Sequence, residues 1–113
     1  MTESPFDVEI QVGTVQKAEK FEEARKPEMV KLWISVDDRE FQSAAQLGHN
    51  YSIKELEGRQ VMCATNLGEM KIAGFTSEAL TVGVPNEEGE VILVAPDEEV
   101  PEGGTLFGEI ENS

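Results

Sequence analysis

Apolar and polar residues alternate most cleanly over residues 29–36, where Val30, Leu32, Ile34 and Val36 share one side and Met29, Lys31, Trp33 and Ser35 the other. Period-two alternation marks a half-buried strand, because successive side chains of an extended chain point to opposite faces. Val8, Ile10 and Val12 alternate likewise with Glu9 and Gln11, and Gly13 then interrupts before Val15. This predicts a first strand with a bulge or coil at the glycine. Asp37-Asp38 makes a turn from which residues 39–45 return. Residues 60–65, 78–84 and 90–95 are further strands, with a turn at Pro85-Asn86-Glu87-Glu88-Gly89, and residues 105–110 close the set. Residues 17–26 form a charged segment that Pro27 ends, and residues 1–6 are an arm or frayed end.

The helical signal is confined to one place. Ser52-Ile53-Lys54-Glu55 matches a capping box, with Ser52 as N-cap, Glu55 at the third helical position and Gly58 as the stop. Ile53 and Leu56 are its buried edge. Short strands recurring every ~8–12 residues, with one short helix before the fourth, predict a small all-β barrel. The chain is expected to be a single domain over residues 1–113, with its core at about 7–110. Between the apolar runs Val61-Met62-Cys63-Ala64 and Val91-Ile92-Leu93-Val94, a polar crossing carries Gly68, Lys71, Gly74 and Ser77. That crossing is the candidate binding face.

Composition narrows the classes. A chain of 113 residues buries a modest core without disulfide or metal staples. No apolar run approaches the ~18–20 residues needed to span a bilayer, so membrane insertion is not expected. The start, Met1-Thr2-Glu3-Ser4-Pro5, lacks the basic and apolar regions of a signal peptide. The single cysteine, Cys63, excludes an internal disulfide and fits a reducing cytoplasm. Net charge is −14, and every Lys and Arg lies at or before Lys71, while ten acids and no base follow it. Bulk electrostatics therefore oppose a polyanion. Either the partners are cationic or neutral, such as peptides, or the acids hydrate the surface in a salt-rich, halophilic cytoplasm. The abundance of Glu in turns favours the second.

Each chemistry-bearing residue has a plainer role beside it. Ser77 and Glu78 can hydrogen-bond to a polar ligand, or simply open a strand after a Gly74 turn. Asn66 can present its amide to a ligand or tolerate a left-handed strand end. Arg25 and Lys26 are an electrostatic handle before Pro27, or pair with the acids around them. Gln42, Ser43 and Gln46 flank small alanines, which suits contact with a backbone or an exposed edge. Trp33 can stack on a base or pack against a neighbour, and Phe21, Phe41 and Phe75 can line an apolar groove or the core. His49 has no ligand-spaced companion, Cys63 reads as a buried small hydrophobe, and Glu87-Glu88 and Glu98-Glu99 are solvated turns. Gly103-Gly104 lacks the Lys of a phosphate loop, and no nucleophile elbow is present. No catalytic residue, metal or cofactor is expected.

The chain resembles the tRNA-binding domain family of OB-folds, and within it the small stand-alone CsaA type. The match begins in Asp7-Val8-Glu9-Ile10-Gln11-Val12-Gly13-Thr14-Val15 and Glu23-Ala24-Arg25-Lys26-Pro27. It continues through Phe41-Gln42-Ser43-Ala44-Ala45-Gln46 and Glu55-Leu56-Glu57-Gly58-Arg59-Gln60-Val61 to Asn66-Leu67, Ile72-Ala73-Gly74-Phe75, Ser77-Glu78 and Gly83-Val84-Pro85. The resemblance implies a five-stranded OB-fold barrel with one short helix before strand 4 and extra terminal strands. It also implies a homodimer and no catalysis. The implied partner is tRNA or another structured RNA, met by Asn66, Lys71, Ser77 and Glu78, with Gln42, Ser43 and Gln46 beside them and Arg25 and Lys26 nearby. The alternative it implies is an export-related chaperone that binds unfolded or pre-secretory polypeptides. Where relatives carry a basic, proline-containing turn after the Asn, this chain has Leu67-Gly68-Glu69-Met70, leaving Lys71 as the local cation.

Overall fold

Leu32 and Ile34 lie at the centre of the core, both fully buried, and the elements arrange themselves around the strand that carries them. The computed structural model describes residues 8–106. Its elements, in order, are β1 (Ile10–Lys20), β2 (Val30–Val36), β3 (Arg39–Ala45), α1 (Ile53–Leu56), β4 (Gln60–Ala64), β5 (Met70–Ile72), β6 (Phe75–Ser77), β7 (Leu80–Thr81), β8 (Gly83–Pro85) and β9 (Val91–Leu93). The main sheet has five strands in the order β3-β2-β1-β4-β7, every pair antiparallel. The core gathers Val15, Val30, Leu32, Ile34, Val36, Leu47, Leu56, Val61 and Cys63 on its inner side. Fully burying a side chain the size of Leu or Ile stabilises the fold by about 1.5–3 kcal/mol.

The sheet curls until its two edge strands meet. Glu78 donates its N–H to the Gln42 carbonyl at 2.7 Å, Ala79 does the same at 3.2 Å, and the Glu78 carboxylate accepts from the Gln42 N–H at 2.8 Å. Deeper in, the Ser43 and Thr81 hydroxyls bond at 2.8 Å. Residues 77–81 thus stand in for a paired strand along β3, and the edge groups of the sheet find partners without a continuous ladder. The expected five-stranded barrel with one short helix before its fourth strand is present.

Several details depart from the pattern. The bulge of β1 falls between Val15 and Lys17, where the register against β2 shifts, and not at Gly13. A Cβ at Gly13 would lie 2.5 Å from Ile34 Cγ2 and 3.0 Å from the Ser35 carbonyl oxygen, so the glycine there lets two strands approach closely. Beyond the bulge β1 runs on to Lys20, through what reads as a charged segment. The extra residue resets the alternation, so that Val15 and Ala18, three apart, are both buried. The Ala18 N–H donates to the Glu57 carboxylate. Residues 78–84 are not one strand, because the chain changes partners at Val82: β7 pairs with β4, and β8 pairs with β9. Gly83 makes that corner possible, since a Cβ would meet Val91 Cγ1 at 2.5 Å. The polar crossing contains the β5–β6 hairpin, turned by Ala73 and Gly74 at positive φ of 47° and 84°. At the end of the described chain Thr105 bridges Gln11; the rest of the expected strand at 105–110, and the arm at 1–6, lie outside the described residues.

The helix forms as its capping box requires. Ser52 Oγ accepts from the Glu55 N–H at 3.1 Å, and the Glu55 carboxylate accepts from the Ser52 N–H at 2.8 Å. Those bonds, first the one from the Ser52 backbone, hold the Glu55 carboxyl below its ordinary range.

Candidate functional site

Two rows of side chains cross the outer face of the barrel. Register aligns Lys17 with Trp33 and Trp33 with Gln42, and in the next row Glu19 with Lys31 and Lys31 with Ala44. Alternation sets all six opposite Leu32 and Ile34, so they form the side of β1–β2–β3 turned away from the core. Phe75, from the β5–β6 hairpin, folds over this face. Its ring meets Trp33 edge-on at 5.7 Å and Phe21 edge-on at 5.5 Å, the geometry that aromatic quadrupoles favour. The Lys31 ammonium lies 4.9 Å from the Phe21 centroid and 5.4 Å from that of Phe75, and the Lys17 ammonium 4.8 Å from that of Trp33. Cations above ring faces are attracted by the negative π-cloud. The hairpin is pinned down by Gln42 Nε2, which donates to the Thr76 carbonyl at 3.0 Å, and by Ser77 Oγ, which accepts from the Ala44 N–H at 3.1 Å.

The β1–β2 loop borders this face. The Phe21 N–H donates to the Met29 carbonyl at 2.9 Å and closes the loop. Gln46 Nε2 ties it to β3 through the Pro27 carbonyl, also at 2.9 Å. Lys20, Arg25 and Lys26 line an open cavity of about 340 Å³ together with Phe21, Pro27, Glu22 and Glu28. Arg25 and Lys26 are exposed. A loop carrying Arg25 and Lys26, with Lys20 at the end of β1, thus adjoins a face carrying two more cations.

The residues expected from the sequence occupy several distinct places. Gln42, Ser77 and Glu78 converge, each half-buried and each bonded within the barrel seam or the hairpin anchor. Ser43 is fully buried, its hydroxyl turned to Thr81, so in this structure it closes the barrel. Gln46 belongs with the Arg25–Lys26 loop. Asn66 is exposed and its Oδ1 accepts from the Glu9 N–H at 2.8 Å. Lys71 is exposed and pairs with Thr76, which alternation puts on the opposite side of the hairpin from Phe75. It therefore points away from Trp33.

Lys17 and Lys31 are functional candidates that the sequence pattern passed over. Lys31 was legible, since it shares the outer side of β2 with Trp33. Lys17 was hidden by the bulge. Among the described residues no group of three potential metal ligands comes together, and His49 is exposed in a turn. Cys63 is buried, and desolvation pushes its thiol up to about 11.

A curled five-stranded barrel with a single short helix and a cation–aromatic outer face defines an OB-type binding domain. Residues 10–105 match the family described as "Putative tRNA binding domain", and the chain belongs to that family. It is 31% identical over 96 residues to the methionine–tRNA ligase of Archaeoglobus fulgidus, covering 85% of this chain and 14% of the ligase. The chain thus corresponds to a small part of the curated relatives it matches. Among solved structures, the chaperone CsaA of Bacillus anthracis strain Ames shares the fold with a TM-score of 0.82 and 32% identity, over 88% of this chain and 91% of that one. The CsaA chaperone protein of Picrophilus torridus gives 0.80 and 33%, over 89% and 92%. The chain is accordingly a tRNA-binding-type domain homologous to part of methionine–tRNA ligases and to CsaA proteins.

Proposed function

We propose that the protein binds tRNA or another structured RNA and catalyses no reaction. The observation that carries this is the outer face of β1–β2–β3, where Lys17, Lys31 and Trp33 stand beside the loop bearing Arg25 and Lys26. Cations for phosphate and an aromatic surface for bases are what an RNA ligand needs from a protein. Lys71 adds a cation on the far side of the hairpin, Gln42, Ser77 and Glu78 supply polar groups where the hairpin meets β3, and Asn66 is a further exposed polar group. Dye-labelled bulk tRNA titrated with protein, in steps of KCl, should give saturable anisotropy that weakens with salt. Lys71→Glu and Arg25→Glu should each weaken it for all RNAs alike. If no tRNA binds at any salt at which the protein remains folded, the RNA reading is wrong.

A second reading, a chaperone for unfolded or pre-secretory polypeptides, is favoured by a different observation. Leu67, Met70, Leu80 and Val84 expose between 53% and 65% of their surface, and large exposed apolar residues mark interaction surfaces. In that case basic, apolar peptides should bind and tRNA should not compete with them. We also propose that the protein is a homodimer of the cytoplasm, with its acidic surface suited to a salt-rich cell. An apolar cavity of about 270 Å³, lined by Val12, Met62, Val94, Val100 and Leu106, is where the second copy would seat. Sedimentation that returns a monomer at all concentrations would exclude that assembly.

A further inference from the structure

Trp33 is the chain's single tryptophan, half-buried on the outer face of β2 between Lys17 and Gln42. Phe75 props the indole edge-on, and Phe21 props Phe75 in turn. The ring is therefore held in place before any ligand arrives, which reduces the ordering entropy that binding must offset. The contact above its face is a movable one. The Lys17 ammonium lies 4.8 Å from the centroid on a side chain that is 57% exposed, and its ion-pair partner at 3.1 Å, Glu19, is 46% exposed. Surface ion pairs of this kind hold weakly. An ammonium resting on a pre-oriented indole, with further cations close by, supplies both groups that an unpaired nucleotide engages: a ring for its base and a cation for its phosphate.

We infer that Trp33 is the base-stacking residue of the RNA face, where an unpaired base displaces the Lys17 ammonium from the indole and the ammonium turns to the adjoining phosphate. The inference rests on the RNA reading above and deepens it by naming the ligand class. The face takes RNA with an unstacked, exposed base, such as a tRNA loop, in preference to a uniform duplex whose bases are stacked out of reach.

The lone tryptophan makes this directly measurable. Intrinsic emission would be followed while bulk tRNA, or a blunt RNA duplex, is added to the unlabelled protein, with N-acetyltryptophanamide correcting for absorbance. Anisotropy of labelled tRNA would be recorded in parallel. Quenching by tRNA that saturates together with anisotropy, and weak binding without quenching by the duplex, is the expected result. Trp33→Leu should bind tRNA about tenfold more weakly, Trp33→Phe should recover most of the loss, and both should keep the parent's melting temperature within a few degrees. Saturable anisotropy with unchanged emission overturns the inference and leaves the RNA reading intact, and the parent protein alone gives that outcome even if a variant misfolds. No anisotropy change with any RNA removes the reading and the inference together.

Discussion

Gly13 and Cys63 show how far single residues are constrained by what surrounds them. A Cβ at position 13 would lie 2.5 Å from Ile34 Cγ2 and 3.1 Å from Val36 Cγ2, both on side chains that the core holds in place. Gly13→Ala should therefore separate β1 from β2 and lower stability by about 1–3 kcal/mol, as overpacking does. Urea unfolding would measure it, and an unchanged midpoint would mean that the strands yield more easily than their packing implies. The sequence places a glycine there but gives no partner, so a bulge was the natural reading; the close approach is a long-range fact. Cys63 was legible as a small buried hydrophobe, and its burial raises the thiol from 9.0 to about 11. At pH 8 the folded protein should resist a disulfide reagent that reacts fully with the unfolded chain, because the thiolate is the attacking form. The linkage has a definite sign. Below pH 9.0 both states hold the proton, and between 9.0 and about 11 only the folded state does, so stability falls with rising pH. By pH 10 the loss should reach about 1 kcal/mol relative to Cys63→Ala.

At the level of elements, local signals were sound wherever the chain bonds to its near neighbours. The β2 alternation, the Asp37-Asp38 turn and the Ser52–Glu55 capping box each depend on contacts a few residues apart. The β5–β6 hairpin was missed because its turn is Ala73-Gly74 and not Asn-Gly, the pair that tolerates two left-handed residues most readily. The bonds that hold residues 102–104 were beyond the pattern, because they reach back across the chain. Glu102 accepts from the Ser35 hydroxyl at 2.8 Å and from the Asp37 N–H at 2.9 Å, while the Gly103 N–H donates to the Val12 carbonyl at 2.9 Å. Burial alone would raise the Glu102 pKa, but hydrogen bonds from Thr14, Ser35 and Asp37 outweigh it and hold the carboxyl below its ordinary range. A depressed carboxyl contributes stability above its unfolded pKa of 4.5 and loses it as pH falls through the lower folded value. Hydrogen exchange at the Gly103 amide, corrected for intrinsic rate, should thus lose protection as the pH drops below 4.5. Glu102→Gln should show the weaker protection already at neutral pH and lack the acid-dependent step. Full protection of Gly103 in that variant at neutral pH would show that the clip is not what holds the segment.

For the whole molecule, the question is how a chain of net charge −14 can receive a polyanion. Lys17, Arg25, Lys26 and Lys31 belong to the outer face and its bordering loop, whereas Asp97, Glu98 and Glu99 line a cavity with Gly58 and Gln60, beside the start of β4. The face is not free of acids, since Glu19 lies beside Lys31 and Glu22 and Glu28 line the cavity of Arg25 and Lys26, but the cluster at 97–99 lines a different cavity. At ~0.01 M salt the Debye length is about 30 Å, and an approaching RNA is repelled by the whole negative charge; at ~0.1 M it is about 10 Å, and RNA at the face meets only the local charges, in which Lys17, Lys20, Arg25, Lys26 and Lys31 stand against Glu19, Glu22 and Glu28. Two opposite salt effects follow. Screening of the global repulsion strengthens binding at first, and loss of counterion release at the phosphate contacts then weakens it. Affinity for tRNA should consequently rise or stay level up to about 0.1 M KCl and then fall, with a logarithmic slope of about −3 to −4 for the four cations of the face and loop, and about one unit steeper where Lys71 also meets phosphate. Arg25→Gln should make that slope shallower by about one unit and leave the low-salt branch in place. In molar salt the electrostatic part is largely spent, and stacking on Trp33 would carry most of the remaining affinity. Anisotropy titrations from about 0.01 to 1 M KCl, on the parent and on Arg25→Gln, distinguish the cases. A steady fall from the lowest salt would mean that the acids do not reach the ligand, and a slope near about −1 would mean that the four cations are not the contacts.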